Sequence, residues 1–265
     1  MAFSGAPAIM PEVGGIRMRQ LSWLCACLVL AGPAPAWSGD AGVKATLDKA
    51  VGALGGESKL AALRAATWKG TATLHGLGKP ITYTGDWAVQ PPEQARVVLA
   101  GEVDGKKFQR VLVVNGDHGW VKQDDTTQAL DRDRLIEEKE RLYAAWVDTV
   151  VPLVDQDFDL SPLAEARVGK REAVGVRVAC AGHRDVDLYF DKASGLPVKS
   201  VTRLKNPRTG KETTQEVFYE DYKDFGGVKR PTRITVQVDH RTTVEGRVTD
   251  FKPRQKLDDS VFARP

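Results

Sequence analysis

From Thr67 to the C-terminus the apolar residues of this chain recur with period two, and one long stretch, Leu135 to Val150, breaks that rhythm with a helical stripe. Successive side chains of a strand point to opposite faces, so alternation marks a sheet with one buried face. Apolar residues three and four apart mark one side of a helix. A lone helix between two sets of strands joined by tight turns cannot make a parallel sheet, in which every crossover needs its own connection. The pattern therefore predicts a mainly β (α+β) fold: an antiparallel, strongly curved, incomplete β-barrel of roughly ten strands, with helices covering the concave face.

The details follow the same logic. Ile81, Tyr83, Gly85, Trp87 and Val89 alternate with Thr82, Thr84, Asp86 and Ala88. That strand stops at Pro91-Pro92, because proline has no N–H to give the ladder. Arg96 to Gly101 and Lys106 to Val114 flank Asp104-Gly105, a hairpin signal, since both central residues of that turn require positive φ. Val111 to Val114 is apolar without alternation, so the sheet there needs cover on both faces. Asn115-Gly116 turns the chain toward Trp120. After strands resume near Phe158, Val186, Leu188 and Phe190 alternate, as do Ile234, Val236 and Val238. Turns are expected at Ala193-Ser194-Gly195, Asn206-Pro207 with Thr209-Gly210, and Gly226-Gly227.

Three helices are predicted. Val43, Leu47, Val51 and Leu54 mark one that Gly55-Gly56 stops, and a short second one runs from Ser58 to Ala65. The central stripe carries Leu135, Ile136, Leu142, Tyr143, Trp146, Val147 and Val150, with Arg134, Glu137, Glu138, Glu140 and Arg141 expected on the outer side. Asp131 or Asp133 caps its start, and Pro152 follows its end.

The N-terminal region fixes the expected compartment. Behind Arg17 and Arg19, Leu21 to Leu30 is apolar apart from Ser22, and Ala34-Pro35-Ala36 places small residues where signal peptidase reads. Residues 1–36 are thus expected to be a signal peptide, extended before Met18, and residues 37–265 a single domain. The apolar run falls short of the ~20 residues of a permanent anchor. A lipid-modified Cys27 in Leu24-Cys25-Ala26-Cys27 is the competing reading. It is disfavoured because the apolar core before Cys27 is short and bulky Cys25 sits where a small residue is usual. With the leader removed, Cys180 has no disulfide partner and is expected to pack as a small hydrophobe behind Val176 and Val178. The 38 basic and 35 acidic residues nearly balance and are interleaved, as from Lys205 to Glu216. Nucleic-acid binding, which needs a clustered basic face, is therefore not expected.

No catalytic pattern emerges. His75, His118, His183 and His240 are scattered, without the spacing of a metal motif, so neither a metal nor a cofactor is expected. Ser194 lacks the glycine two residues before it that a nucleophile elbow requires. Asp124-Asp125 and Asp258-Asp259 are adjacent carboxylates, which a strand sends to opposite faces. Trp68, Trp87, Trp120 and Trp146 fall on predicted strands or the central helix. Core packing accounts for them, and so does a cavity between sheet and helix.

Gly85-Asp86-Trp87-Ala88-Val89-Gln90-Pro91-Pro92, Asn115-Gly116-Asp117-His118-Gly119-Trp120 and Leu257-Asp258-Asp259-Ser260-Val261-Phe262 resemble segments of the LolA-like superfamily, periplasmic carriers that sort outer-membrane lipoproteins. Tyr219 to Pro231, with Asp221-Tyr222 and Gly226-Gly227-Val228, is similar to related sorting-type proteins. The resemblance implies an incomplete barrel closed by helices around an apolar cavity for acyl chains. In those carriers an arginine directly before the proline of the first segment latches the lid. Here Pro91 stands in its place, and Arg96 on the next strand is the available substitute.

The expectation is an extracytoplasmic, periplasmic carrier or binding protein, a monomer, that holds a lipid or acylated lipoprotein under a helical lid. Its ligand would be lined by Trp87, Trp120, Leu142, Trp146 and Val150. The alternative is a non-catalytic sensor or interaction module on the same scaffold, with an envelope protein as partner and the charged turn Lys205 to Lys211 as a surface. A hydrolase assembled from distant residues is the third reading.

Overall fold

The computed structural model describes residues 39–76, 78–155, 158–206 and 209–265. The leader, Met18, Cys25, Cys27 and Trp37 lie outside them. Thirteen strands form one antiparallel, curved sheet that does not close into a barrel. Helices α1 (Gly39–Leu54) and α2 (Glu57–Ala61) precede a first meander of β1 (Ala65–Leu74), β2 (Ile81–Gln90), β3 (Gln94–Val103), β4 (Lys106–Asn115), β5 (His118–Gln123) and β6 (Thr126–Ala129). Helices α3 (Arg132–Val147) and α4 (Pro152–Asp155) then lead to a second meander: β7 (Asp159–Val168), β8 (Arg171–Ala179), β9 (Val186–Asp191), β10 (Pro197–Lys205), β11 (Glu212–Phe225), β12 (Val228–Val238) and β13 (Arg241–Arg254).

The spatial order is β6-β5-β4-β3-β2-β1-β13-β12-β11-β10-β9-β8-β7. The first and last strands are therefore neighbours, paired from Ala65↔Arg254 to Leu74↔Val244, and this seam joins the two meanders. The outermost strands are β6 and β7. Thirteen strands replace the roughly ten expected. Part of the shortfall is β6, whose Thr-Thr-Gln-Ala has no apolar face to read, so the sequence pattern ends at Thr126 where the sheet does not. Asp104 and Gly105 both take positive φ, at 48° and 77°, as the hairpin requires.

The main core lies on the concave face, between the sheet and the helices. Leu47, Ala50 and Leu54 of α1 and Leu142, Tyr143 and Val147 of α3 pack there with Trp68, Trp87, Val176, Leu188, Phe190, Tyr219, Ile234 and Phe251. Smaller apolar packing covers the convex face, where Phe262, fully buried in a 3-10 turn over Asp259–Phe262, sits on Ala88, Val111 and Val113. The unalternating run Val111 to Val114 is thus covered on both sides. Three hydrogen bonds strap this C-terminal segment down: Leu257 N–H to Gln90 Oε1 (2.9 Å), Asn115 Nδ2–H to the Phe262 carbonyl (3.3 Å), and Thr127 Oγ1–H to the Pro265 carbonyl (2.9 Å).

Two corrections concern helices. The second helix spans Glu57–Ala61, because Ala65 already pairs with Arg254 as the first residue of β1. Helix α3 is capped by Asp131, which accepts from the Arg134 N–H at 2.8 Å, and ends at Val147. Its faces are not sorted as hydrophobicity predicts: Ile136 is 46 % exposed while Glu137 and Glu140 are 5 % and 8 % exposed.

Candidate functional site

Those two carboxylates are buried because the opposing wall supplies their partners. Both Nη groups of Arg184, in the turn between β8 and β9, donate to Glu137, at 2.8 and 2.5 Å, and the Lys205 N–H adds a third bond at 2.8 Å. Glu140 pairs with His183 Nδ1 at 2.9 Å and accepts from the Arg184 N–H at 3.0 Å. The His183 ring also stacks on Tyr143 of α3, with centroids 3.9 Å apart. Burial pushes the Glu137 carboxyl up, but the Arg184 and Lys205 donors outweigh it and hold the group below its ordinary range. Helix α3 is therefore latched to the second meander by its own acids. No hydrogen bond or ion pair joins Arg96 to α3 among the described residues, so the expected substitute for the missing arginine does not serve as the latch.

Beneath α3 an aromatic ladder crosses the seam. Trp87 of β2, Trp68 of β1 and Phe251 of β13 stand directly opposite one another in register. The two indoles are parallel, 2° apart with centroids at 5.7 Å, and Phe251 follows at 6.4 Å. Phe225 of β11 extends the row at 5.5 Å from Phe251. The Gly-Asp-Trp signature has a physical cause here, because the Trp87 ring lies over Gly85. A Cβ on that glycine would sit 1.8 Å from the ring.

Trp68, Trp87, Val97 and Val114 from the sheet and Leu142 and Trp146 from α3 line a partly open apolar cavity of about 60 Å³, with Glu138 and Arg141 also in its wall. Three of the five expected lining residues, Trp87, Leu142 and Trp146, meet there. Trp120 does not: it pairs with Val113 on β4 and packs with Phe262 on the convex side, since one residue of register decides the face. Val150 is fully buried but belongs to the turn after α3, with φ 65°. A β-branched residue in that region is strained, and such strain persists only where its surroundings impose it. A larger groove of about 510 Å³ opens between α1 and α4, lined by Val43, Leu47, Val51, Leu153, Phe158 and Leu160 and edged by Lys44, Asp48 and Glu57.

Next to the strained turn lies a buried polar group that the sequence pattern did not single out. Arg230 of β12 is 5 % exposed; its Nη1 donates to the Thr149 carbonyl at 3.2 Å, and its guanidinium lies over Phe251. Its Nε and Nη2 have no partner among the described residues. Burial pulls this guanidinium down to about 10. Nearby, the Tyr219 hydroxyl donates to Asp148 Oδ2 and shares a 3.0 Å bond with Ser200. Burial raises the Asp148 carboxyl above its ordinary value. The Gly-Val-Lys-Arg-Pro run that opens β12 reads as an ordinary polar strand start, so only the three-dimensional placement of Arg230 reveals it.

The remaining candidates resolve into structural pairs. His75 bonds Glu245 and His240 bonds Glu216, each at 2.8 Å, and His118 stacks on Trp120. Ser194 bonds Asp191 within its turn. Cys180 is half-buried against the main core. Among the described residues no three His, Cys, Asp or Glu side chains gather as a metal site.

No family model matches the chain, and no curated protein matches it. Solved structures do. A LolA superfamily protein from Nitrosomonas europaea superposes with a TM-score of 0.53 at 14 % identity, over 83 % of this chain and 97 % of that one. A DUF1329 family protein from Desulfovibrio piger gives 0.51 at 11 % identity, over 83 % and 97 %. A putative outer membrane lipoprotein-sorting protein domain from Vibrio parahaemolyticus gives 0.50 at 10 % identity, over 78 % and 94 %. The chain has a LolA-like fold.

Proposed function

We propose that this protein is a periplasmic carrier or binding protein that shelters the acyl chain of a lipid or lipoprotein between the concave face of its sheet and helix α3. The observation that carries the reading is the parallel Trp68–Trp87 pair facing Leu142 and Trp146 across an apolar gap. Hydrocarbon buried there gains about 0.8 kcal/mol per CH₂ without any polar recognition. The cavity of about 60 Å³ is well below the ~300–1,000 Å³ of an ordinary ligand site, so α3 acts as a lid that must swing to admit cargo. Its hinge is the turn at Thr149 and Val150, where the backbone is strained. The leader read in residues 1–36 and the LolA-like fold support the periplasmic setting.

The test is uptake of a fluorescent fatty acid. Trp146→Asp and Leu142→Asp each place a charge in the gap and are expected to abolish uptake while circular dichroism stays unchanged. Undiminished uptake by both folded variants would remove the lid from the model of action.

The small volume of this gap favours a second reading, an envelope interaction module in which the interior is only a core. Native mass spectrometry of the protein purified from its own envelope without detergent separates the two. Co-purified lipid or acylated polypeptide supports the carrier. An apo mass, unchanged after incubation with phospholipid and fatty acid, supports the module.

A further inference from the structure

Arginine interacts with paired oxygens through a flat edge of two parallel N–H bonds. This protein shows that edge in use: Arg177 holds Asp187 with Nε at 2.7 Å and Nη2 at 2.9 Å. Arg230 presents the same two atoms, Nε and Nη2, and both are buried with no partner among the described residues. Its third nitrogen is already used by the Thr149 carbonyl. No carboxylate lies within ion-pair reach of it among the described residues, although Arg177, Arg184 and Arg233 all have one. An unpaired buried charge costs several kcal/mol, so a sequence without a use for it would be expected to place an apolar residue there. Buried donors left open in this way point to an absent acceptor.

The surroundings say what kind of acceptor. The guanidinium stands 5.9 Å from the ring of Phe251, which belongs to the ladder that starts at the cavity with Trp87 and Trp68 and continues to Phe225. A cationic fork therefore lies against an apolar track. We propose that Arg230 anchors the anionic head group, a carboxylate or phosphate, of a single-chain amphiphile whose hydrocarbon lies along Trp87, Trp68 and Phe251. The assignment rests on the acyl-chain reading above and narrows it: the ligand is acidic. Two oxygens of the head group accept from Nε and Nη2, as Asp187 does from Arg177. Because Thr149 holds Nη1, the segment that shifts to admit the anion is the strained turn between α3 and α4.

The experiment displaces the uncharged probe N-phenyl-1-naphthylamine from the mature protein. The competitors are hexadecanoate, hexadecyl phosphate, hexadecan-1-ol, and acetate and inorganic phosphate without a chain. The wild type is expected to bind at least one of the two acidic amphiphiles about ten- to a hundredfold more tightly than the alcohol, the difference of a charge-assisted bond pair. Which acid is preferred identifies a carboxylate or a phosphate source. In Arg230→Met that preference disappears while the alcohol binds as before, and the urea midpoint does not fall, since a buried unpaired charge has been removed. Arg230→Lys keeps the charge without the fork and retains only part of the preference. Equal binding of acid and alcohol by the wild type overturns the anchor but leaves the acyl-chain reading standing. So does an acid preference that survives in Arg230→Met, or displacement by acetate or phosphate alone. If no chain-bearing competitor displaces the probe, both readings fall.

Discussion

Glu137, on the helix that divides the two meanders, is gripped end-on by both Nη groups of Arg184 and is almost wholly out of water. Removing one partner strands the other. Because 24 % of the Arg184 side chain remains accessible, Glu137→Ala is expected to cost about 2–3 kcal/mol, less than the ~3–5 kcal/mol of a fully dry pair. The loss is read from urea unfolding. The same variant should load a fluorescent fatty acid faster, because the lid has lost its latch; slower or unchanged loading would separate latch from lid.

Acid should loosen this contact and a second one, at Glu216. Glu137 and Glu216 are each pushed up by burial but held below the ordinary glutamate value near 4.5 by stronger partners, Arg184 and Lys205 for one and Lys199 and His240 for the other. A depressed folded value stabilises the fold above the unfolded value, and the contribution disappears as pH falls through the folded one. Urea midpoints should therefore drop below about pH 4.5, less steeply in Glu137→Gln. Asp148 has the opposite sign: burial raises it, so its protonated form suits the fold and its ionisation opposes folding as pH rises. Asp148→Asn should thus be at least as stable as the wild type at neutral and alkaline pH.

The two faces of the sheet give a contrast in tryptophans. Trp87→Ala removes a stacked, 4 % exposed indole and should cost about 3–5 kcal/mol and weaken fatty-acid binding at least severalfold. Trp120→Ala, on the convex side, should cost less and leave binding intact. Parallel titrations of the two variants check both statements.

How far sequence reasoning reached can be judged from these residues. Alternation placed Trp87 on the buried side of β2, and the Asp104-Gly105 turn fixed the pairing of β3 with β4. The same reasoning put Trp120 in the cavity, because a six-residue strand between two turns does not announce its register. Glu137 and Glu140 were assigned to solvent because a helical wheel cannot see Arg184 and His183, more than forty residues away. Arg230 carried no local signal either. What makes it unusual is missing company in space, and periodicity does not report that.

Phe262 tests the convex cover. Phe262→Ala should cost about 3–5 kcal/mol by denaturation, since it is fully buried on Ala88, Val111 and Val113, while fatty-acid binding on the opposite face stays unchanged. A parallel loss of binding would mean that the two faces are coupled through β2 and β4.

The seam between β1 and β13 also sets an order of events. A chain made from its N-terminus builds β1 early, yet that strand's second neighbour is not synthesised until residues 241–254 emerge. Contacts so distant in sequence form slowly. Until then the row of amides and carbonyls along one side of β1 is bare, and a bare strand edge recruits whatever strand it meets. The β1 edge must therefore be kept from foreign partners until β13 emerges, and pairing with that strand is what ends its exposure.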